Sequence, residues 1–291
     1  MPIPEHQLVT WSHQGAVHNS KAAYAAINSI VSAHNWPGDL QIDTYLQGSY
    51  KNDTNIYGYS DIDIAIQLNS VFYSNLTEEQ KMYLGFTDIP PGFYGWNEFR
   101  ADVLKVLTSY FGESGVQIGN KSIKVTTPYM VADVVVCTQY RQYRTISPYD
   151  YIEGMSLFEQ RGNRLVVNFP KLHYQAGVAK NGSTHGWYKP MVRVLKNARN
   201  YLAGHRLIAD DLAASYFIEN LLYNVPDVSY GVSFQTSFFN IVYWILQADL
   251  PDMLCQNGQL CLFGSLPEQW PAHKAKHLNL ALINLWNNWE V

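Results

Sequence analysis

Two short segments constrain this chain more than any other feature. Asp61-Ile62-Asp63-Ile64-Ala65-Ile66-Gln67-Leu68 alternates polar and apolar residues, and Val131-Ala132-Asp133-Val134-Val135-Val136 sets one acid inside an apolar run. Alternation of period two reads as a half-buried strand, so Ile62, Ile64 and Ile66 face a core while Asp61 and Asp63 project from the other face. A lone carboxylate in an apolar strand is costly unless something offsets its charge, which makes Asp133 conspicuous. With the two strands side by side, three carboxylates would converge. Carboxylates held close repel one another unless a cation lies between them, and hard divalent ions take such oxygen ligands together with substrate phosphates. Gly48-Ser49 supplies a second half, because glycine allows close backbone approach and a serine at a helix start can cradle phosphate oxygens. Lys51, Thr54 and Asn55 lie in the same segment. Taken singly, Asp-x-Asp reads as a solvated strand face and Gly-Ser as a turn. Jointly they suit two-metal phosphoryl transfer, in which ions clamp the attacking and leaving oxygens.

The pattern along the chain predicts an α+β protein. A helix is expected over residues 16–35, with Ala16, Ala23, Ala26, Ile27 and Ile30 on its apolar stripe, and another over 97–111. Strands are expected at Ile42–Leu46, Asp61–Leu68, 115–127 and 130–139. Beyond Asn168-Phe169-Pro170, helical patterns dominate, at 171–179, 187–204, 209–224, 233–247 and 272–289. The expected organisation is a sheet-containing lobe with an N-terminal helix over residues 1–165 and a helical lobe over 166–291. At 291 residues there is room for two lobes sharing a cleft.

Composition narrows the function classes. With 47% hydrophobic and 15% charged residues, an intrinsically disordered chain is excluded. A net charge of −4 argues against a protein that coats duplex nucleic acid. Cys137, Cys255 and Cys261 are too scattered for a disulfide framework, and Cys255 and Cys261 lack the His/Cys partners of a zinc site, so free thiols are expected. No signal-like start or bilayer-length apolar run is present, which makes a soluble cytoplasmic protein without membrane contact the expectation. Locally the balance reverses. From Arg161 to Arg206 there are nine Lys and Arg and no acid. Lys189, Arg193 and Lys196 recur at i, i+4 and i+7, opposite Met191, Val194, Ala198 and Leu202. Such an excess is either a solvated face or the seat of an anion, and a nucleoside triphosphate fits it better than a duplex.

The pattern Gly48-Ser49, Asp61-x-Asp63 and Asp133 resembles the DNA polymerase β-like nucleotidyltransferases. Gln47-Gly48-Ser49-Tyr50-Lys51-Asn52-Asp53-Thr54-Asn55-Ile56 and Ser60-Asp61-Ile62-Asp63 look like the bacterial cGAS/DncV-like nucleotidyltransferases (CD-NTases). Trp11 to Ala16, Tyr151 to Met155, Pro170 to Tyr174 and Tyr223 to Asp227 extend the likeness almost end to end. Within the family the chain is most similar to the CdnE type, including its pyrimidine-preferring members. The resemblance implies a bilobal fold with the active site in the cleft between a polymerase β-like lobe and a helical C-terminal lobe. It implies two Mg²⁺ ions, with Mn²⁺ as a substitute, held by Asp61, Asp63 and Asp133 as catalytic residues. The activity implied is cyclic dinucleotide synthesis from NTPs with pyrophosphate release, in anti-phage (CBASS) signalling through a downstream effector.

Residue roles follow from the same resemblance. Lys196 and Ser215, with the Gly48-Ser49 turn, are implied to hold the triphosphate, and Tyr216 to stack on the base. Stacking binds any base, so the choice needs an edge reader, and Asn168 is the candidate. Its amide can pair by two bonds with uracil or, flipped, with cytosine or adenine. The resemblance implies uracil, so UTP is the leading expected substrate and CTP the second, with ATP left open. No DNA or RNA activator is expected. Two rivals share the acidic residues: a nucleotidyltransferase acting on an external acceptor, such as an RNA 3′ end or a small molecule, and a catalytically silent nucleotide-binding scaffold. Low total basic charge counts against an RNA acceptor, and an intact acid triad against the scaffold.

Overall fold

The period-two segments become the central strands of a seven-stranded sheet. The computed structural model describes residues 1–15, 17–58, 61–86 and 94–289; Ala16 of the expected first helix and Tyr59-Ser60 of the motif lie outside the described residues. In chain order the elements are α1 (Glu5–Ser12), α2 (His18–Ala33), β1 (Ile42–Gln47), α3 (Gly48–Lys51), β2 (Ile62–Ser74), α4 (Glu78–Tyr83), α5 (Trp96–Phe111), β3 (Val116–Ile118), β4 (Ile123–Thr126), β5 (Val131–Tyr143), β6 (Tyr151–Phe158) and β7 (Leu165–Asn168). The helices α6 (Pro170–Ser183), α7 (Tyr188–Gly204), α8 (Ser215–Asn224), α9 (Phe234–Gln247) and α10 (Ala272–Asn287) follow. The described chain thus combines a mixed sheet with a helical C-terminal domain.

Two compact units can be distinguished. One holds Ala16–Tyr50 and Asp61–Lys171, the other Met1–Gly15, Lys51–Ser60 and Leu172–Val291. In the sheet unit the strand order is β1-β2-β5-β4-β3, with β6 paired to β5 and β7 to β6. The β2–β5 pair is parallel and the others antiparallel. Ile62, Ile64, Ile66 and Leu68 are fully buried, together with Ala23 and Ile27 of α2 and Phe99, Val103 and Leu107 of α5. Each side chain of this size is stabilised by about 1.5–3 kcal/mol on burial, which fixes the register: a slip of one residue would put the aspartates into that core. The opposite face carries a smaller apolar cluster of Ala65, Trp96, Cys137, Met155, Leu157 and Val166.

The helical unit is built on α7, whose Met191, Val194, Leu195, Ala198 and Leu202 join the cores of α8, α9 and α10. Helix α1 belongs to this unit: Ile3 and Leu8 are fully buried in the same cluster. Its Glu5 carboxylate accepts from the amides of Phe234 at 2.8 Å and Gln235 at 2.7 Å, two donors that α9 itself leaves unpaired. The expected helix over 209–224 starts only at Ser215, because the chain before it forms a turn, closed by the Leu212 amide on the Ala209 carbonyl, that tertiary contacts hold. The Leu212 carbonyl accepts from Trp270 Nε1 at 3.1 Å and the Ala213 carbonyl from Arg199. All three cysteines are free. Among the described residues no helix is long and apolar enough to cross a membrane.

Candidate active site

The sheet unit sets two of the three acidic residues side by side. Asp63 of β2 lies in register with Asp133 of β5 across the parallel pair, on the face opposite Ile62, Ile64, Ala132 and Val134. Asp61 immediately precedes β2, and its carboxylate meets Lys124 Nζ of β4 at 3.1 Å. Lys124 is itself in register with Asp133. Burial pushes the Asp133 carboxyl above its ordinary range and Asp61 adds to the rise, while Lys124 and a Ser122 hydroxyl 3.5 Å away pull it back without cancelling it. This is a cluster in which negative charge exceeds its local compensation.

The Gly48-Ser49 turn sits against Asp63 because β1 delivers it there: Gln47, the last residue of β1, pairs with Asp63. Gly48 has φ +63°, and a Cβ at this position would fall 2.1 Å from Asp63 Oδ2. Only glycine fits a backbone that crowds a carboxylate in a left-handed conformation. The donors here are carboxylate oxygens under an open glycine backbone, chemistry that suits a hard divalent cation. Among the described residues no three His, Cys, Asp or Glu side chains are already drawn round one point, since Asp61 is turned to Lys124.

Asn168 ends β7, with its side chain exposed and its backbone opposite Met155 of β6. Gly154 makes room for it, since a Cβ there would lie 2.9 Å from the Asn168 carbonyl and 2.8 Å from the Phe169 ring.

In the helical unit the structure gives the basic stripe of α7 a partner inside the chain. Lys189 Nζ pairs with Asp53 Oδ2 at 2.8 Å, Arg193 donates to the Asp53 carbonyl, and Lys196 Nζ donates to the Thr54 carbonyl at 3.1 Å and to its hydroxyl at 3.2 Å. The stripe therefore holds the loop 52–55, whose Asp53 adopts φ +56° to present both of its oxygen groups. Lys196 is 2% exposed, and its ammonium also stands 3.7 Å from Glu219. Burial pulls the Lys196 ammonium below the usual lysine range and Glu219 opposes the pull. Lys196 thus spends two of its three N–H donors on Thr54. Ser215 opens α8 with its hydroxyl accepting from Arg199 at 3.3 Å, and the neighbouring Tyr216 is 42% exposed.

Glu219 is the residue that sequence reasoning missed. Its carboxylate accepts from Asn52 at 3.1 Å and Thr54 at 2.9 Å, and lies 3.1 Å from His173 Nε2. Burial alone would raise this acid, but the His173 hydrogen bond, the Lys196 charge and the Thr54 hydroxyl outweigh it and hold the carboxyl at about 2. The signal was available. Glu219 is a lone acid in the run Phe217-Ile218-Glu219-Asn220-Leu221-Leu222, as Asp133 is in its strand. Lys124, which meets Asp61, was hidden because cross-strand register is not written in the sequence.

Known proteins match this architecture. Residues 175–287 match the family described as cGAS/DncV-like nucleotidyltransferase C-terminal helical domain. The chain is 49% identical over 291 residues to the cyclic UMP-AMP synthase of Rhodothermus marinus, with 99% of each chain covered. It is 38% identical over 302 residues to the cyclic nucleotide synthase CdnE01 of Staphylococcus haemolyticus, covering 99% of this chain and 100% of that one. The solved structure of the Rhodothermus marinus CdnE c-UMP-AMP synthase with Apcpp and Upnpp superposes with a TM-score of 0.93, covering 100% of this chain and 98% of the other. The carboxylate pair on a mixed sheet, the helical domain and near-complete coverage by these relatives lead to one conclusion: the chain belongs to the cGAS/DncV-like nucleotidyltransferases, among the CdnE-type cyclic nucleotide synthases.

Proposed function

We propose that the chain makes a cyclic pyrimidine-containing dinucleotide from UTP, alone or together with ATP, as a second messenger for a downstream effector in anti-phage defence. The observation that carries the chemistry is the registered pair Asp63 and Asp133, with Asp61 beside them and the Gly48 turn against Asp63. Mg²⁺, with Mn²⁺ as a substitute, would be held by these three carboxylates; when bound, the two ions supply charge for the triphosphate and lower the pKa of the acceptor ribose hydroxyl. The residues of the chain do the rest. The Gly48-Ser49 turn holds triphosphate oxygens. Ser215, whose oxygen already accepts from Arg199, keeps its O–H to donate to a phosphate. Lys196, which anchors the Thr54 loop, lends its ammonium to the triphosphate. Tyr216 stacks on the base and Asn168 reads its edge. An acceptor hydroxyl displaces pyrophosphate from the α-phosphate of a donor NTP, giving linear pppNpN. The free ribose hydroxyl of that intermediate then attacks the α-phosphate of its own triphosphate, releasing a second pyrophosphate and closing the ring. Uridine is favoured by the Asn168 amide, and the name of the Rhodothermus marinus relative supports a uridine and adenosine pair.

The test is incubation of the purified protein with Mg²⁺ and all four NTPs, one α-³²P-labelled at a time, with phosphatase and nuclease treatment and identification of products by mass. A phosphatase-resistant dinucleotide containing uridine is expected. Asp61→Asn and Asp63→Asn should each lower product by about a thousandfold or more, and Asn168→Ser should admit purines at the uridine position. Pyrophosphate release undiminished in Asp61→Asn sinks the metal-site reading; a purine-only product sinks the role of Asn168.

A further inference from the structure

Beside the proposed base platform lies a buried histidine that the chemistry above does not use. His173, on α6, is 7% exposed. Its ring lies face to face with Tyr216, the centroids 5.5 Å apart and the planes inclined by 25°. Its Nε2 meets Glu219 at 3.1 Å, while Nδ1 is buried with no hydrogen-bond partner among the described residues. The plane of the imidazole is therefore set from one edge only, by a carboxylate that is itself held by Asn52 and Thr54. The His173 backbone is pinned as well, its carbonyl accepting from Gln256 Nε2 at 2.5 Å. Tyr216 in turn is bounded on several sides: His173 on one face, the edge of Phe217 at 5.8 Å, and the Cys255 thiol beside its hydroxyl. Tyr216 is nonetheless 42% exposed.

We propose that His173 is a positioning residue for the nucleobase: backed by Glu219, it closes one face of Tyr216 and fixes the ring plane on which a base stacks. The inference rests on the reading of Tyr216 as the stacking residue. A free tyrosine ring must be ordered each time a base binds, and that ordering lowers affinity; a ring already clamped from behind meets the base in the bound orientation. Because the imidazole occupies one face, the base approaches from a single side, so the platform has handedness as well as area. Glu219 has one task here, which is to hold the imidazole plane through Nε2.

The test separates ring from hydrogen bond. His173→Gln keeps a donor for Glu219 and removes the ring; His173→Phe keeps a ring and removes the donor. Equilibrium binding of a non-hydrolysable UTP analogue, steady-state KM and kcat, and thermal unfolding are measured for both, for Tyr216→Ala and for Tyr216→Ala combined with His173→Gln. Tyr216→Ala should weaken binding about tenfold or more, as loss of a stacked base does. His173→Gln should weaken it about fivefold with kcat changed less than about twofold, since the lost interaction orders the ground state and the transition state alike. In the Tyr216→Ala background the His173→Gln effect should vanish, because the two act through one contact. His173→Phe should bind between the parent and His173→Gln, because the ring that closes the face is kept while the Glu219 bond that sets its plane is lost, even with a lowered unfolding temperature. If His173→Gln binds as the parent does, if its effect persists without Tyr216, or if His173→Phe falls as far as His173→Gln, the positioning role is overturned. If Tyr216→Ala itself binds normally, the stacking reading fails and takes the inference with it, a result distinct from the other three.

Discussion

Glu219 illustrates how one buried charge is made tolerable and what that arrangement implies for pH. Its carboxylate is satisfied by Asn52, Thr54 and His173 and stands near the Lys196 ammonium, with Arg193 and Arg199 as the other charges acting on that lysine. The folded protein holds this carboxyl at about 2, below the value of about 4.3 that an unfolded chain gives it. A group with a depressed folded pKa contributes stability that is fully present above the unfolded value and lost as the pH falls towards the folded one. Denaturant midpoints should therefore fall steeply between pH 4.5 and 2 in the parent and more gently in Glu219→Gln. At pH 7 the same substitution should cost about 3–5 kcal/mol, because Lys196 is left buried without its counter-charge. An acid limb unchanged in Glu219→Gln would place the acid sensitivity elsewhere.

At the scale of elements, the short α3 turn is defined by what it must not contain. Alanine at Gly48 would combine a left-handed backbone with a Cβ 2.1 Å from Asp63 Oδ2, so Gly48→Ala must displace either the turn or the carboxylate. Dinucleotide synthesis should drop about a hundredfold or more, while the unfolding temperature falls by only a few degrees, since α3 contributes no buried residue to either core. Full activity in Gly48→Ala would detach the turn from the site. The strands around this turn were legible in the sequence for a physical reason: Ile62, Ile64 and Ile66 alternate because one face is buried, and alternation survives in any context. Strands β6 and β7 were not legible, because Gly154 interrupts the first and the second has four residues. The first six residues of the expected helix over 209–224 failed for the opposite reason. Of these only Leu212 and Ala213 are buried, and their carbonyls are taken by Trp270 and Arg199 instead of by a helical ladder. Among the site residues, the acids could be read because charge in an apolar strand is conspicuous. The partner of Lys196 could not, because an i, i+7 stripe looks the same whether it faces phosphate or a loop of its own chain.

At the scale of the whole molecule, residues far apart in sequence share a core. Ile3 and Leu8 lie among α7, α9 and α10, and Trp11 meets Tyr201 and Trp289 with ring centroids 5.8 Å and 5.6 Å away. Removal of residues 1–12 should therefore destabilise the helical unit by about 3–6 kcal/mol from Ile3 and Leu8 alone. The loss should appear in thermal unfolding, and Glu5→Gln should reproduce only a small part of it by weakening the cap on α9. A truncated chain with an unaltered transition would mean that α1 is not part of the core. The distribution of the chain has a genetic consequence. The polypeptide passes between the two units after Gly15, Tyr50, Ser60 and Lys171. A recombination event with a single crossover at any of these points cannot exchange one unit whole. A swap after Lys171 would deliver new helices without the 1–15 and 51–60 segments that complete them, and would set Glu219 against a foreign Asn52 and Thr54. Sheet and helices are thus inherited as a single block, and the loop that Lys189, Arg193 and Lys196 hold must diverge in step with the helix that holds it.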